Sequence, residues 1–572
     1  MAEQKKNKIK SGRALLLILA GIVLVSGLWF HLETTISPPD PGSYADTSLM
    51  VMNPEPGFFY VKNNWLQKND AGLWEMYLEG KPYERGAVNG KLTKTLIALQ
   101  EKAFIDRIRE MVPSDGYLRF LKYFIYWFNR DLDKYIPTEY KLEIYGISAS
   151  ASPKYDFIGS GYQRMLNYHS AHDIGHALQE LSLVGCTSFG IWGDKSKDSE
   201  LIIGRNFDFY AGDEFAENKI ICFEKPENGY GFMMVTWAGM IGTVSGMNET
   251  GLTVTINAAK SEIPWSARTP ISIVAREILQ YATTLQEAYA IAQKRETFVS
   301  ESILIGSAKE NKAGIIEKSP YKMALVVPAS DYIACANHFQ SATFSDDPLN
   351  IRNKAENASF YRYQRLIQNI STPVPMDCQD VAAILRDKKG LNNADPGYGN
   401  EKAINQLIAH HSIIFKPLQL QVWVSTPPWQ LGKYICYDLN EIFHNFAGLK
   451  RRMDISDTGK TIAPDPFLQS SDYKRFLKFK EMREKLKKSL HNKENISINS
   501  SFFTEFINSN PGYFEVYSLI GDYYFKMGQW KEAKTAFHKA LTRIIPRWDE
   551  KLAIIEKLAE CNLKIKKHND EI

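Results

Sequence analysis

Net charge is nearly absent from this chain. Lys and Arg number 69 against 65 Asp and Glu; five of those bases (Lys5, Lys6, Lys8, Lys10, Arg13) and one acid, Glu3, lie in the first thirteen residues, which leaves 64 of each sign for the rest. A body so balanced offers no general basic surface, and this removes the case for nucleic-acid binding. Cysteine is scarce too. Six in 572 residues do not make a disulfide framework; Cys222, Cys335, Cys378, Cys436 and Cys561 are widely scattered and read as mostly buried, although an exported chain could pair some of them. The HExxH pattern of zinc proteases and the Cys-Gly-Ser-Cys-Trp neighbourhood of papain-like proteases are both missing.

Long apolar runs are equally few. The basic tail leads into Ala14 to Phe30, a run just long enough to span a bilayer, with its positive flank expected to stay inside. The reading is a retained anchor over residues 14–30; the competing one is a secretory signal cut near Ser26 and Gly27. No cysteine follows the run, so lipid attachment has no acceptor there. The bulk of the chain is expected outside the cytoplasm, periplasmic or extracellular, joined to the anchor by the stiff linker SPPDPG at Ser37 to Gly42.

The expected organisation is a basic tail and anchor (1–36), a mainly helical leader (37–185), a catalytic core (186–450) and a helical tail (465–572). In the leader, GYLRFLKYFIYWFNRDLDKY at Gly116 to Tyr135 is too broken by charge to be a second span; its apolar residues are expected to pack on the following domain, with a membrane-surface role as the alternative. From Cys186 the texture changes to short strands. CTSFGIW and ELIIGRNFDFY pattern as a hairpin, and in LTVTIN Leu252, Val254 and Ile256 share one face while Thr253, Thr255 and Asn257 share the other. Helices are expected in ISIVAREILQYA, opened by Thr269-Pro270, and in LQEAYAIAQK, followed by further strands and helices; the order suggests antiparallel sheets with helical layers outside. In the tail, Tyr517, Gly521, Tyr524, Ala533, Phe537 and Ala540 fall at tetratricopeptide positions. A single repeat cannot bury its own faces, so it is expected to dock on the body or on Trp548 to Ile565, with a protein partner as a further possibility.

The chemistry points to Gly185-Cys186. A thiol preceded by glycine meets little crowding when it attacks the carbonyl behind it, and cleavage there would give Cys186 a free α-amine. Such amines titrate at about 7.7 to 8.0, close to the thiol value of about 8.5, so the amine can act as the base for its own cysteine. His169, His172 and His176 offer a rival metal site, but only His172 and His176 are four apart on one helix face.

Taken in order, GCTSFGIW, GRNFDF, MNETGLTVTINAA, ILIGSAKENKAGIIE, CANHF and SFYRYQRL resemble the C45 peptidase group of N-terminal nucleophile hydrolases. That group includes the acyl-coenzyme A:6-aminopenicillanic acid acyltransferases and is similar, more distantly, to choloylglycine hydrolases and acid ceramidase. The likeness runs from about Gly80 to Leu439. It implies that Cys186 is the nucleophile both for cutting Gly185-Cys186 and for forming a thioester with a substrate acyl group. It further implies that Asp208 holds the α-amine, that Arg205 sits beside the thiolate, that Asn257 and Asn337 lie near the acyl carbonyl, and that Arg362 braces the site, with Arg365 as its rival. Residues three apart in a regular strand face opposite ways, so Arg205 and Asp208 can share a site only at a bulge, for which Gly204 is a candidate, or at a strand end.

The resemblance implies an α+β N-terminal nucleophile αββα sandwich, to which the sequence pattern adds an N-terminal membrane helix, a helical leader and a helical tail. It implies a self-processing amidohydrolase or acyltransferase acting on a small-molecule N-acyl amide, with no metal or organic cofactor, an acyl-coenzyme A donor remaining open. The alternative is a membrane-anchored scaffold that keeps the fold and uses its tail for interaction.

Overall fold

Alternating apolar and polar positions in the middle of the chain become the strands of two stacked sheets. The computed structural model describes residues 2–42, 49–111, 114–177, 185–209, 216–262, 264, 266–491, 498 and 500–570. It opens with helix α1 (Ala2–Thr34) and strands β1 (Met52–Glu55), β2 (Phe58–Val61), β3 (Asn64–Lys68) and β4 (Trp74–Gly80). Helices α2 (Pro82–Leu92), α3 (Lys94–Met111), α4 (Asp115–Phe128), α5 (Leu132–Tyr135), α6 (Thr138–Ser148) and α7 (Gly161–Ala177) follow. Beyond Cys186 run β5 (Thr187–Ile191), β6 (Ile202–Phe207), β7 (Ile220–Pro226), β8 (Phe232–Thr236), β9 (Ser245–Asn248) and β10 (Leu252–Ala258), then α8 (Ile271–Tyr281) and α9 (Leu285–Lys294). Strands β11 (Glu301–Ser307), β12 (Lys312–Lys318), β13 (Met323–Val326) and β14 (Tyr332–Cys335) lead to α10 (Pro348–Glu356), α11 (Ala358–Ile370) and α12 (Cys378–Leu385). The body closes with β15 (His411–Lys416), β16 (Gln421–Ser425), β17 (Tyr434–Asp438) and α13 (Leu439–Asn445). Helices α14 (Ser471–His491), α15 (Ser500–Ser509), α16 (Phe514–Lys526), α17 (Trp530–Leu541) and α18 (Trp548–Asp570) form the tail.

One sheet has the order β1-β2-β3-β4-β7-β8-β9-β10-β11-β12-β13, the other β14-β5-β6-β15-β16-β17. Between them lies an apolar layer that includes Trp65, Ile203, Phe223, Leu304, Ile413 and Val424. Helices α2, α8 and α9 cover the outer face of the first sheet, and α11 and α12 that of the second. The expected alternation in β10 holds: Leu252, Val254 and Ile256 pack in the cluster under the helices. Asn257, on the opposite side, meets Ser188 of the second sheet. That polar face is therefore buried between the sheets and does not meet solvent.

The leader differs from the expected mainly helical segment at its start. Residues 52–80 form β1 to β4, and β4 pairs in parallel with β7 from Trp74↔Ile220 to Gly80↔Pro226, which makes the leader part of the larger sheet. The aromatic density of this stretch belongs to two-residue alternation, reversed at tight turns where Lys62 (φ 51°), Gly57 (φ 76°) and Gly72 (φ 84°) take left-handed backbone. Helices α2 and α6 then cross very closely. A Cβ at Gly86 would lie 2.0 Å from the Glu143 carbonyl oxygen and one at Gly146 2.4 Å from that of Tyr83. Thr269 does not cap α8: its hydroxyl donates to the Tyr135 carbonyl at 3.0 Å, and Pro270 stands at the helix N-cap without a side-chain bond.

Helix α1 carries a stretch, Leu15–Thr34, long and apolar enough to cross a membrane. Its end stacks on α4, Trp29 against Trp127 at 5.7 Å and Phe30 against Tyr123 at 5.9 Å. Of the α4 aromatics, Phe128 packs on Phe298 of the body while Tyr117, Phe120, Tyr123 and Phe124 stay exposed, so the expected packing on the following domain holds for one end of that helix. In the tail, α16 and α17 pack as a pair, with the ring of Phe537 within 2.5 Å of where a Cβ on Gly521 would be. That pair shares an apolar cluster with Cys561 of α18 and with Leu407 and Leu431 of the body. All six cysteines are free thiols.

Leader and core are joined by a buried ion cluster. Arg85 of α2 meets Glu143 of α6 at 2.5 Å and Glu224 of β7 at 2.6 Å, and Arg276 of α8 pairs with the same two carboxylates. Two charges of each sign cancel, and every side chain in the cluster is fully buried. Removing one partner strands the other charges in a low-dielectric interior. Glu143→Ala is expected to lower the unfolding free energy by about 3–5 kcal/mol in urea titrations; a loss under about 1 kcal/mol would show that the cluster does not join leader to core.

Candidate active site

Strand β5 begins at Thr187, so Gly185 and Cys186 sit at its mouth, both buried. Register β5–β6 runs unbroken from Thr187↔Asn206 through Ser188↔Arg205 and Phe189↔Gly204 to Ile191↔Ile202. There is thus no bulge at Gly204. Asp208 instead lies just past the end of β6, and this strand end turns it towards the same place as Arg205. The Gly185 N–H donates to the Asp208 carbonyl at 2.9 Å, which ties the cysteine's approach to that end.

Arg205 is completely buried between the sheets. Nη2 lies 3.7 Å from Cys186 Sγ and also donates to the Ile256 carbonyl; Nη1 donates to the Val244 carbonyl at 2.7 Å and to Ser245 Oγ. The guanidinium lies over the Phe207 ring at 4.5 Å. Ser245 Oγ continues to His411 Nε2 at 2.8 Å, and His411 Nδ1 to His410 Nδ1 at 2.9 Å. Burial holds both imidazoles well below their ordinary range, so they act as neutral hydrogen-bonding groups.

Burial pushes the Cys186 thiol up to about 11; Arg205 opposes that rise, and the Asp208 and Glu301 carboxylates add to it. Burial likewise raises the Asp208 carboxyl to about 7, against the pull of Arg362 and Arg205. Asp208 Oδ1 is buried and has no hydrogen-bond partner among the described residues. With the Gly185-Cys186 bond intact, Cys186 is therefore a neutral thiol beside a carboxyl that is protonated on the acid side of neutrality.

Asn257 accepts from Ser188 Oγ at 3.1 Å and donates to the Cys335 carbonyl at 3.3 Å. Asn337 donates to the Ala258 carbonyl at 3.0 Å and accepts from Arg362 Nη2 at 2.5 Å. Arg362, on α11, also donates to Thr187 Oγ1 at 3.2 Å, the Cys186 carbonyl at 3.5 Å and the Glu401 carbonyl at 2.8 Å. Its rival Arg365 points elsewhere, to Asp387 at 2.7 Å. The structure thus brings Cys186, Arg205, Asp208, Asn257, Asn337 and Arg362 to one buried place.

His169 takes no part in a metal site here: Nδ1 meets the Met165 carbonyl at 2.7 Å and Nε2 accepts the Ile241 N–H at 3.0 Å, and burial lowers it to about 4. The side chains of His172 and His176 lie outside the described residues. Sequence reasoning missed three members of the neighbourhood. Gln406 donates to the Gly185 carbonyl at 2.6 Å. Glu301, a fully buried carboxylate at the start of β11, acts on the Cys186 thiol. The His410–His411 pair supports Ser245. Signals existed for two of them, an acid opening the otherwise apolar SILIG strand and a histidine pair opening HHSIIF.

Comparison with known proteins follows the same region. Residues 194–425 match the family model described as acyl-coenzyme A:6-aminopenicillanic acid acyl-transferase, a span that begins after Cys186 and contains the other five site residues. An uncharacterized protein of Archaeoglobus fulgidus is 24% identical over 403 residues, 63% of this chain and 65% of that one. The N-acylethanolamine-hydrolyzing acid amidase of Caenorhabditis elegans is 26% identical over 235 residues, 39% of this chain and 62% of that one. The chain therefore spans just under two thirds of the length of these relatives. A solved structure of the Caenorhabditis elegans N-acylethanolamine-hydrolyzing acid amidase ortholog aligns at 19% identity over 41% of this chain and 93% of that one, with a TM-score of 0.29. Across residues 194–425 the chain carries the pattern of the acyl-coenzyme A:6-aminopenicillanic acid acyl-transferase family, the group its motifs resemble.

Proposed function

We propose that this protein is a self-processing cysteine amidohydrolase with an N-terminal nucleophile αββα core, acting on N-acyl amides with water as the acyl acceptor. One observation carries the reading: Gly185-Cys186 is buried at a strand mouth with a guanidinium 3.7 Å from the sulfur and a carboxylate oxygen of Asp208 left without a partner among the described residues. Cleavage would place an ammonium where that oxygen can accept from it. An adjacent positive charge favours the ionised carboxylate, so processing would turn a partly protonated Asp208 into an anion that orients the new amine. The amine then removes the thiol proton, and Arg205 stabilises the thiolate.

The thiolate adds to the substrate carbonyl, the amine of the leaving group takes a proton, and the acyl group stays on sulfur as a thioester until water releases it. Asn257 and Asn337 each spend one amide N–H on a backbone carbonyl; a side-chain amide has two, so one from each remains for the acyl oxyanion. A cavity of about 50 Å³ is lined by Ile97, Phe104, Met165, Phe209, Trp237 and Met240, Phe209 being the residue after Asp208, and we assign it to the end of an apolar acyl group. In the same reading, α1 is a retained anchor, the catalytic body lies outside the cytoplasm, and the tetratricopeptide-like tail serves as a brace on the body.

Two outcomes are expected. Cys186→Ala abolishes hydrolysis of every N-acyl substrate in a panel, whereas Asn257→Ala lowers kcat by about 10²–10³-fold, the value of one oxyanion donor, with an unchanged unfolding midpoint; normal turnover by the cysteine variant contradicts the mechanism. A thiol at about 11 is also a poor nucleophile. At pH 8 an uncut chain is expected to react with iodoacetamide at Cys186 about a hundredfold more slowly than a free cysteine does, and the cut form far faster. Equal rates in the two forms would contradict activation by processing.

A further inference from the structure

Self-cleavage attacks the Gly185 carbonyl, so the groups touching that oxygen decide how well its charge is stabilised. Gln406 touches it: Nε2 donates to Gly185 O at 2.6 Å and lies 3.3 Å from Asp208 Oδ2. The Gly185 carbonyl can only accept, which fixes the amide with its nitrogen facing it. Among the described residues no other donor reaches that oxygen. The amides of Asn257 and Asn337 face the carbonyls of Cys335 and Ala258, and Arg362 faces that of Cys186, one residue further on.

The surroundings hold Gln406 firmly. It is 1% exposed. Its neighbour Leu407 adopts φ 56°, a left-handed backbone that a branched side chain takes only when the fold insists on it. Asn405 Oδ1 accepts the Leu407 N–H at 2.9 Å, the Asn405 N–H bonds the Asp387 carbonyl at 2.8 Å, and the Leu407 side chain is buried in the apolar cluster of the tail. The opposing side of the contact is equally specific. A Cβ on Gly185 would lie 2.5 Å from Gln406 Nε2 and 2.6 Å from its Oε1, so only glycine lets the amide come this close.

We propose that Gln406 is the oxyanion donor for self-cleavage at Gly185-Cys186, a catalytic residue of maturation. The assignment rests on the self-processing reading. Cys186 Sγ adds to the Gly185 carbonyl carbon, and the π pair moves onto the oxygen, where the Nε2–H holds it. Collapse restores the carbonyl and breaks the C–N bond; the Cys186 nitrogen leaves as an amine carrying the thiol's proton. Water then hydrolyses the Gly185 thioester to a carboxylic acid and regenerates the thiol. With Gly185 gone, Gln406 keeps Asp208 Oδ2 as its acceptor and leaves Oδ1 to the new ammonium.

The test follows conversion of the full-length chain to fragments by intact mass over time, for the wild type, Gln406→Leu and the near-isosteric Gln406→Met, with urea unfolding of each. Both variants are expected to slow first-order cleavage by about 10²–10³-fold without moving the unfolding midpoint. Should the Leu variant lose the fold, the Met variant decides, since it keeps the length of the side chain and lacks the donor. A wild type that cuts alongside variants cutting at its rate overturns the role of Gln406 and leaves self-processing standing. A wild type that never cuts overturns the self-processing reading and this assignment with it.

Discussion

A guanidinium buried between two sheets is the constraint on which this site depends. Arg205 leaves β6 of the smaller sheet and spends its donors on the carbonyls of Val244 and Ile256 and on Ser245 of the larger one. Stripping a cation of water costs several kcal/mol even after relaxation, and here backbone dipoles, a hydroxyl and nearby carboxylates replace that water. The same bonds fix how the two sheets face one another. They also leave one edge of the cation 3.7 Å from Cys186 Sγ, so the feature that aligns the sandwich is the feature that would favour a thiolate.

The leader belongs to this construction. Strand β4 extends the larger sheet through β7, and the Arg85–Glu143–Glu224–Arg276 cluster closes the joint from the helical side. Cleavage at Gly185-Cys186 would cut the covalent link and leave this hydrogen-bonded and ionic one. On the proposed reading, a leader held in that way would stay as a second subunit after the cut. It also supplies Ile97, Phe104 and Met165 to the apolar cavity, so the proposed acyl site is built from both sides of the cut. The tail enters at a third point, through Leu407 beside Gln406.

The sequence made legible whatever local pattern and chemistry could carry. The β5–β6 hairpin, the two-faced strand β10, the helices α8 and α9, and the five side chains that converge on Cys186 could all be read from alternation, punctuation and family motifs. The arginine and aspartate three apart were a geometric puzzle on paper. The answer, a strand that stops at Phe207 before Asp208, is set by where pairing ends, which depends on partners distant in the chain. Strands β1 to β4 lie in a stretch that reads as mainly helical because its aromatic density hides a period of two, and the pairing of β4 with β7 is a contact across some 145 residues. Gln406 was invisible for the same reason: it lies in a loop without periodicity, which the pairing of His411 with Phe207 and the bond from Asn206 to the Ile404 carbonyl carry to Gly185-Cys186.

The central claim is that one peptide bond is broken so that one sulfur gains its base. Amino-terminal sequencing of the larger fragment from active, purified protein tests it most directly. The account expects that fragment to begin at Cys186, with the leader fragment still bound to it under native conditions. Full activity in a preparation whose Gly185-Cys186 bond is wholly intact would contradict it.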